Sequence, residues 1–215
     1  MSKSATPSQK RLSREARREV IERAATEVFA RSGYHGASMD EIANRSGVSV
    51  PVLYDHFTSK RELHRRLLER HFAELRQVWA EHFPGERPLA ERLGRSIEAW
   101  FGYVESHPYA WRMLFAETSG DPEVAAIHRE VAAASREALL PLLAAERGSA
   151  KITGGADPLS IEMAWETFRS VLQGLALWWY EHPDVPRERI VATAMNFLWL
   201  GFERVRGGEV WSGEG

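Results

Sequence analysis

Apolar residues recur at three- and four-residue intervals along nearly the whole chain, and clusters of glycine and proline separate the periodic stretches. Within residues 13–31, for example, this spacing places Ile21, Ala24 and Val28 on one face of a helix. No stretch shows the sustained alternation of a β-strand, and no fixed-period repeat occurs. The pattern predicts an all-α fold.

Local signals set the bounds of the predicted helices. Ser38 is followed three residues later by Glu41, the spacing of a capping box, and Gly33 and Gly47 follow the ends of periodic stretches. Ser49 is a second candidate cap, with Pro51 in the first turn after it. The predicted helices cover residues 13–31, 39–46, a short stretch after Ser49, 59–83, 89–106, 108–117, 122–146, 158–181 and 187–206.

The breaker at residues 84–88, with the sequence PGERP, is the predicted domain boundary. We expect a disordered basic arm at 1–12, a helix-turn-helix domain with its connecting helix at 13–83, a larger helical domain at 84–206 and a flexible tail at 207–215.

Composition excludes several classes of protein. None of the 215 residues is cysteine, which excludes a disulfide scaffold, a thiol nucleophile and a cysteine-ligated metal centre. The longest apolar run, at residues 175–179, is far shorter than the roughly 20 residues that span a bilayer. The first ten residues lack the apolar segment of a secretory signal. We therefore expect a cytoplasmic protein with no membrane partner.

Positive charge is concentrated at the start of the chain. Residues 1–76 hold 15 basic and 10 acidic side chains, whereas residues 77–215 hold 13 and 20. Residues 1–18 alone hold 6 basic and 1 acidic. Such an arm commonly lies against a phosphate backbone, although a solvated tail without a partner has the same composition.

Residues 38–57 combine two short predicted helices with a glycine-containing turn, the pattern of a helix-turn-helix whose second helix enters the DNA major groove. Ile42, Ala43, Val48, Leu53 and Phe57 are the predicted core of this unit. Helix pairs of this kind also occur in proteins that never bind DNA.

Three stretches make the comparison more specific: GYHGASMDEIA at residues 33–43, SGVS at 46–49 and LYDHFTSKREL at 53–63. They resemble the N-terminal domain of the TetR family of transcriptional regulators, over about residues 13–72. The resemblance implies a DNA-binding head and a divergent, all-helical C-terminal domain that dimerises and often encloses a small-molecule pocket. It further implies phosphate contacts from Tyr54, His56 and Lys60, helix caps that also donate to phosphate from Ser38 and Ser49, and base reading by Val50, Pro51 and Val52.

The chain departs from the family pattern where the recognition helix begins. A basic residue is common at the position of Val50 and a hydroxyl residue at that of Val52. Valines cannot hydrogen-bond to base edges but can pack against a thymine methyl. We therefore expect a larger contribution from Arg45 and from the arginines of the arm and first helix, Arg11, Arg14, Arg17 and Arg18, whereas Asp55 adds a negative charge near the phosphates.

The last two predicted helices are apolar around most of their circumference, so they either fill a monomer core or form a four-helix bundle between two subunits. With the family resemblance we expect a homodimer, with Trp178, Trp179, Phe197 and Gly201 at its interface.

Aromatic residues are dense in the central helices, which is typical either of plain core or of a pocket for an apolar ligand. On family grounds we expect a pocket lined by Trp100, Tyr103, Trp111, Phe115, Trp165, Phe168 and Gln173, with Arg112, Glu117 and Glu166 as further candidate polar groups.

The combined prediction is a ligand-responsive regulator, by family default a repressor, that binds palindromic operator DNA as a homodimer and is released by a small, largely apolar effector. The helix at residues 59–83 is the expected lever between the two domains. A helical interaction module without DNA binding and a metal-dependent enzyme are the alternatives, the latter because His64 and His71 lie seven residues apart on one helical face. No zinc-protease, P-loop, Rossmann or serine-hydrolase motif is present, so we expect no catalytic residues, metal or cofactor.

Overall fold

The computed structural model of the protein describes residues 13–115, 122–144 and 158–206, and within those ranges the chain is helical without a strand. The predicted arm with Arg11, the predicted tail and Glu117 lie outside the described residues. The helices are α1 (Arg14–Gly36), α2 (Met39–Ser46), α3 (Val50–Tyr54), α4 (Lys60–His82), α5 (Leu89–Ser106), α6 (Pro108–Phe115), α7 (Pro122–Ala144), α8 (Pro158–Glu181) and α9 (Arg187–Arg206). The predicted all-α class is confirmed.

The end of α1 differs from the prediction. Gly33 leaves the helical conformation with φ 68° and ψ 173°, as a terminating glycine does, but the chain is helical again up to Gly36. The Ala37 N–H donates to the Gly33 carbonyl over 3.1 Å. The loop predicted at residues 33–37 is therefore mostly one further helical turn.

The chain divides into two compact units, Met1–Leu67 and Leu68–Gly215, so the division falls inside α4. The breaker at residues 84–88 separates α4 from α5. None of the described helices combines the length and the apolar character that crossing a bilayer requires.

In the first unit, α1 packs against α2 and α2 against α3. The side chains of Ile21, Ile42, Leu53, Phe57 and Leu63 are fully buried and form the centre of this small core. Burial of these residues stabilises the unit and fixes the crossing of α2 and α3.

In the second unit, α5 packs against α6 and α9, and α8 packs against the same two helices. Ile97, Phe101, Trp111 and Met113 are fully or almost fully buried between them. The rings of Phe101 and Trp179 meet edge to face with their centroids 5.9 Å apart, which joins α5 to α8.

Candidate nucleic-acid interface and ligand cavity

A left-handed glycine connects α2 to α3. The Ser38 hydroxyl accepts a hydrogen bond of 3.1 Å from the Glu41 N–H and caps the start of α2, as predicted. At its end Gly47 has φ 68° and ψ 25°, a conformation that a residue with a β-carbon resists. The Val48 N–H then donates to the Ala43 carbonyl over 3.1 Å, and the chain turns into α3.

One side of α3 is anchored in the core and the other is open. Leu53 and the following Phe57 are 0% exposed, whereas Tyr54 is 48% exposed. Val50 and Val52 are half-buried and Pro51 is exposed. The first turn of α3 therefore presents hydrocarbon and no hydrogen-bonding side chain.

Ser49 occupies the cap position before α3, but its hydroxyl makes no capping hydrogen bond, so the predicted cap is wrong in this respect. Such a hydroxyl accepts from the second or third N–H of the helix. Pro51 stands at the second position and has no N–H, which removes one of the two donors.

The arginines of α1 lie near the end of α3. Burial lowers the pKa of the His56 imidazole, and the charges of Arg14, Arg17 and Arg18 lower it further, against the opposing effect of Asp55. The structure thus brings the predicted phosphate contact His56 together with three cations that the charge pattern singled out.

A buried carboxylate holds one of these arginines. The Arg18 guanidinium lies 5.1 Å from the centroid of the Phe57 ring, and its Nε donates to Glu22 over 3.2 Å. Glu22 is 3% exposed and also accepts from Arg66 Nε on α4, over 2.8 Å. Sequence reasoning missed Glu22, although its position four residues after Arg18 is the spacing of a helical ion pair.

Arg45 is engaged with α1. Its Nε donates to Glu27 over 2.7 Å, and its Nη2 donates to the other oxygen of the same carboxylate. Glu27 also pairs with Arg31, 2.8 Å away. A DNA contact from Arg45 stays a prediction, and this carboxylate offsets part of its charge.

Lys60 closes the last turn of α1. Its ammonium donates to the carbonyls of Tyr34 and Ala37, over 2.8 Å and 2.9 Å, and lies 4.5 Å from the centroid of the Tyr34 ring. An ammonium has three N–H donors, and two of those of Lys60 are used within the unit.

The start of α4 is occupied by a capping arrangement that sequence reasoning overlooked. The Ser59 hydroxyl accepts from the Glu62 N–H over 3.1 Å, and the Glu62 carboxylate accepts from both the N–H and the hydroxyl of Thr58, each over 2.6 Å. The hydrogen bond from the Thr58 hydroxyl is the main reason that the pKa of Glu62 is lowered. The Ser-x-x-Glu spacing was the available signal, and the N–H groups of Glu62 and Thr58 are occupied by these hydrogen bonds.

The second unit contains a cavity of about 530 Å³ between α4, α5, α6, α7 and α8. Five of the predicted pocket residues line it: Trp100, Phe115, Trp165, Phe168 and Gln173. Its aromatic walls are interlocked, since Phe168 meets Trp79 edge to face at 5.4 Å and Phe72 meets Phe115 at 5.8 Å. The volume lies within the range of small-molecule sites.

Two predicted pocket residues, Tyr103 and Trp111, do not line this cavity. The Trp111 ring packs edge to face on Tyr180, with centroids 5.7 Å apart, and Arg112 donates to the Tyr180 hydroxyl over 3.1 Å instead of facing the cavity. Tyr103 is buried, and its hydroxyl donates to Glu74 over 2.8 Å. Helical spacing alone did not distinguish the two sides of α5 and α6.

Glu74 is the centre of a polar cluster. Burial by itself would raise the pKa of its carboxyl, but hydrogen bonds from His71, Arg70 and Tyr103 outweigh burial and lower the pKa to about 2. The same burial, together with the Glu74 charge, raises the pKa of Tyr103. A carboxylate and a phenol are thus held in fixed protonation states at neutral pH.

The two histidines considered as metal ligands, His64 and His71, are both buried. His64 lies in the first unit against the rings of Phe29 and Tyr34, at 4.8 Å and 5.1 Å. His71 lies in the second unit, with Nδ1 3.1 Å from Glu74 and 3.0 Å from the Tyr103 hydroxyl. Among the described residues, no three His, Asp or Glu side chains form a group that could hold a metal ion.

Large apolar side chains on α8 and α9 are exposed. Phe197 is 76% exposed, Leu200 53% and Trp178 45%, and Gly201 is exposed beside them on α9. Trp178 stacks on His182 with centroids 4.0 Å apart. Trp179, predicted for the same interface, is instead 7% exposed, and its Nε1 donates to the Val185 carbonyl over 2.7 Å.

Comparison with known proteins now decides the family. Residues 21–67 match the bacterial regulatory proteins of the tetR family, and residues 89–201 match the tetracyclin repressor-like C-terminal domain. A further relative, the HTH-type transcriptional activator FasR of Mycolicibacterium smegmatis, is 31% identical over 201 residues, covering 91% of this chain and 87% of FasR. The chain belongs to the TetR family.

Solved structures of other regulators share the fold. A TetR-like transcriptional regulator from Rhodococcus sp. RHA1 has a TM-score of 0.71 at 23% identity, over 93% of this chain and 100% of its own. The fatty acid degradation regulator FadR from Bacillus halodurans has a TM-score of 0.68 at 17% identity, over 96% of this chain and 98% of its own. The first TetR-family match ends at residue 67, where the first compact unit also ends.

The TetR family resemblance did not reveal the charged lining of the cavity. Four arginines line it beside the aromatic residues: Arg76, Arg129, Arg136 and Arg169. The available signal was their helical register, since Arg169 follows Phe168 and lies four residues after Trp165.

Proposed function

We propose that this TetR-family protein is a homodimeric transcriptional regulator that binds palindromic operator DNA through α3 and leaves it when a small, largely apolar effector occupies the cavity. One observation carries the DNA-binding part. Buried Leu53 and Phe57 fix α3 at the surface of the first unit, with Tyr54 exposed and the α1 arginines close to its end. DNA binding implies action in the bacterial cytoplasm.

The proposed contacts divide into positioning and reading. Tyr54, His56, Lys60 and the hydroxyls of Ser38 and Ser49 contact phosphates, with Arg14, Arg17 and Arg45 adding positive charge. Val50, Pro51 and Val52 enter the major groove and pack on thymine methyl groups. Binding through phosphates predicts an affinity that falls steeply with salt.

The first experiment is selection of bound sequences from a random DNA pool, which we expect to return an inverted repeat. Affinity for the selected duplex is then measured against salt. For six to ten phosphate contacts it falls by about 10³–10⁵ between 50 and 200 mM. A chain that ignores every duplex at low salt is the helical interaction module instead.

The Tyr54 hydroxyl offers a matched test. Tyr54 is 48% exposed, so Tyr54→Phe leaves the core intact. Loss of one phosphate hydrogen bond from each subunit lowers the affinity of the dimer by at least about tenfold on any sequence. Tyr109→Phe makes the same change at a half-buried tyrosine of the second unit that lies on α6 and not on α8 or α9, and it leaves DNA affinity unaltered. Equal effects of the two variants would refute the proposed role of Tyr54.

We propose that the exposed apolar side chains of α8 and α9 form the dimer interface, as a four-helix bundle with the partner subunit. Large contiguous apolar patches on a soluble chain mark interaction surfaces. Phe197→Glu is expected to give monomers in sedimentation velocity and to abolish tight binding to the inverted repeat. Ala192→Glu, roughly 140° away around the same helix and also exposed, leaves the dimer intact.

Effector binding is proposed to favour a conformation with lower operator affinity, by a factor of about 5–150. α4 is the proposed lever, because it begins in the first unit and ends in the second. We propose repression as the mode of action. A relative bears the name activator, so a reporter under the selected operator is measured with and without the protein. Lower transcription with the protein supports repression, and higher transcription overturns it.

A further inference from the structure

Arginines from three helices line the cavity of the second unit. Arg76 comes from α4, Arg129 and Arg136 from α7, and Arg169 from α8. Each of these helices lines the cavity with both arginine and apolar side chains. On α7, Ala132 and Ala133 lie between the two arginines and leave room for a guest, because their side chains are short.

The same helices supply a continuous apolar wall. On α4, Phe72, Leu75 and Trp79 line the cavity together with Arg76. On α8, Trp165, Phe168 and Leu172 line it together with Arg169. The rings of Trp165 and Phe168 lie 6.3 Å apart. A guest therefore meets aromatic surface and guanidinium groups together.

Negative charge in the described lining is scarce. Glu166 is its single carboxylate, and Arg169 donates to it from Nε over 3.0 Å and to Gln173 over 2.6 Å. Arg136 pairs with Glu162 over 2.8 Å, and that carboxylate is half exposed to solvent. Burial lowers the pKa of His128, which keeps this lining residue neutral at neutral pH. Within the described lining, four arginines therefore stand against one carboxylate.

We propose that the effector of this regulator is an anionic amphiphile, whose apolar chain lies against the tryptophan and phenylalanine rings and whose anionic head is held by the cavity arginines. The proposal rests on the proposed function and specifies its ligand. Guanidinium groups bind carboxylate and phosphate through paired, charge-assisted hydrogen bonds, so either head group satisfies this chemistry. A cationic amphiphile of the same shape would be repelled by the arginines, and a neutral one would gain no charge-assisted hydrogen bond from them.

The test compares four compounds that share a ten-carbon chain and differ in the head group. Decanoate, decyl phosphate, decan-1-ol and decylamine are titrated into the purified full-length protein below their micellar concentrations, with tryptophan emission and calorimetry as readouts. We expect the better of the two anions to bind at least about tenfold more tightly than the alcohol, and the amine to bind least. Tighter binding of decanoate indicates a carboxylate effector, and tighter binding of decyl phosphate indicates a phosphorylated one.

Two substitutions with opposite expected effects on anion affinity test whether the charged groups of the cavity hold the head group. Arg129→Gln removes a cation from the lining and is expected to cut anion affinity about tenfold while leaving that of decan-1-ol unchanged. Glu166→Gln removes the lining carboxylate and is expected to strengthen anion binding. Arg95→Gln is the matched control, because Arg95 is exposed on α5 and is not among the lining residues. A merely structural role of either residue would weaken all four compounds alike.

The outcomes separate this proposal from the one on which it rests. Equal binding of alcohol and anion, or no binding of any decyl compound, overturns the anionic effector. Operator binding by the same preparation is measured in parallel. Its loss would refute the DNA-binding regulator whatever the cavity binds. Anion selectivity that Arg129→Gln abolishes and Glu166→Gln enhances supports the inference.

Discussion

In the first unit, three arginines of α1 lie near His56, just after α3, whereas in the second unit four arginines line a cavity together with tryptophan and phenylalanine rings. An exposed row of cations suits an extended polyanion, which brings many charges and needs no enclosure. A concave aromatic site suits one small molecule. We therefore expect arginine to serve two recognition modes in this protein, with the shape and apolarity of its surroundings deciding between them.

The cores of the two units also differ in composition. All eight tryptophans lie at residue 79 or beyond, so the sequence Met1–Leu67 contains none. Tryptophan emission therefore reports on the second unit alone. Far-ultraviolet circular dichroism and amide hydrogen exchange report on both units.

The largest effect is expected from a substitution that removes a core side chain, because it should unfold one unit and leave the other folded. Phe57→Ala removes a ring that is 0% exposed, at a cost of about 3–5 kcal/mol. We expect it to abolish operator binding and to expose the amides of α2 and α3 to exchange. Tryptophan emission and ligand binding in the cavity should persist.

Phe101→Ala is the reciprocal variant, since Phe101 is equally buried but lies in the second unit against the rings of Trp100 and Trp179. It should change tryptophan emission and weaken ligand binding. If Phe57→Ala altered the tryptophan environment as much as Phe101→Ala does, the two units would unfold as one and the contrast between them would fail.

A smaller effect distinguishes structural from phosphate-binding cations in the first unit. Lys60→Gln removes the charge that holds the carbonyls of Tyr34 and Ala37, and we expect it to destabilise the unit by about 1.5–3 kcal/mol. Urea unfolding followed by circular dichroism measures this. Arg61→Gln, the same change of charge at the next, exposed position, should stay within about 0.5 kcal/mol of the parent. Unchanged stability of Lys60→Gln, with a shallower salt dependence of DNA binding, would make Lys60 solely a phosphate ligand.

The smallest expected effect is a pH dependence of the second unit. The pKa of Glu74 is about 2 in the folded chain, below its ordinary value of 4.5. A lowered carboxyl pKa stabilises the folded state fully above pH 4.5, and this contribution is lost as the pH falls toward 2. Unfolding monitored by tryptophan emission should show Glu74→Gln less stable than the parent by on the order of 1 kcal/mol at pH 7. A difference that stayed constant down to pH 2 would contradict the ionised cluster.

Signals that act within a few residues were sufficient to predict most of the fold. The Ser38 cap and the left-handed Gly47 fix the bounds of α2, and the separator with Pro183 and Pro186 sets the end of α8 and the start of α9. The end of α1 was mispredicted because Lys60, 26 residues further along the chain, stabilises the turn after Gly33 by binding the Tyr34 carbonyl. No local pattern records that contact.

The site was predictable only in part, for a related reason. Trp178 and Trp179 are neighbours about 100° apart on a helix, so Trp178 is exposed and Trp179 is buried in the unit. Composition alone assigned both of them to the dimer interface. Which aromatic residues line the cavity depends on how α5, α6 and α8 are rotated against one another. Arg45 was predicted from its position alone, and its partner Glu27 lies on another helix.

The hydrocarbon first turn of α3 sets how DNA binding would respond to temperature. When Val50, Pro51 and Val52 leave water for the groove, association carries a negative heat-capacity change, as burial of apolar surface does. The enthalpy of binding then becomes more favourable on warming, while the entropic gain from released water shrinks. We therefore expect operator recognition through these residues to depend more on the release of water than recognition by a helix rich in hydrogen-bonding side chains does.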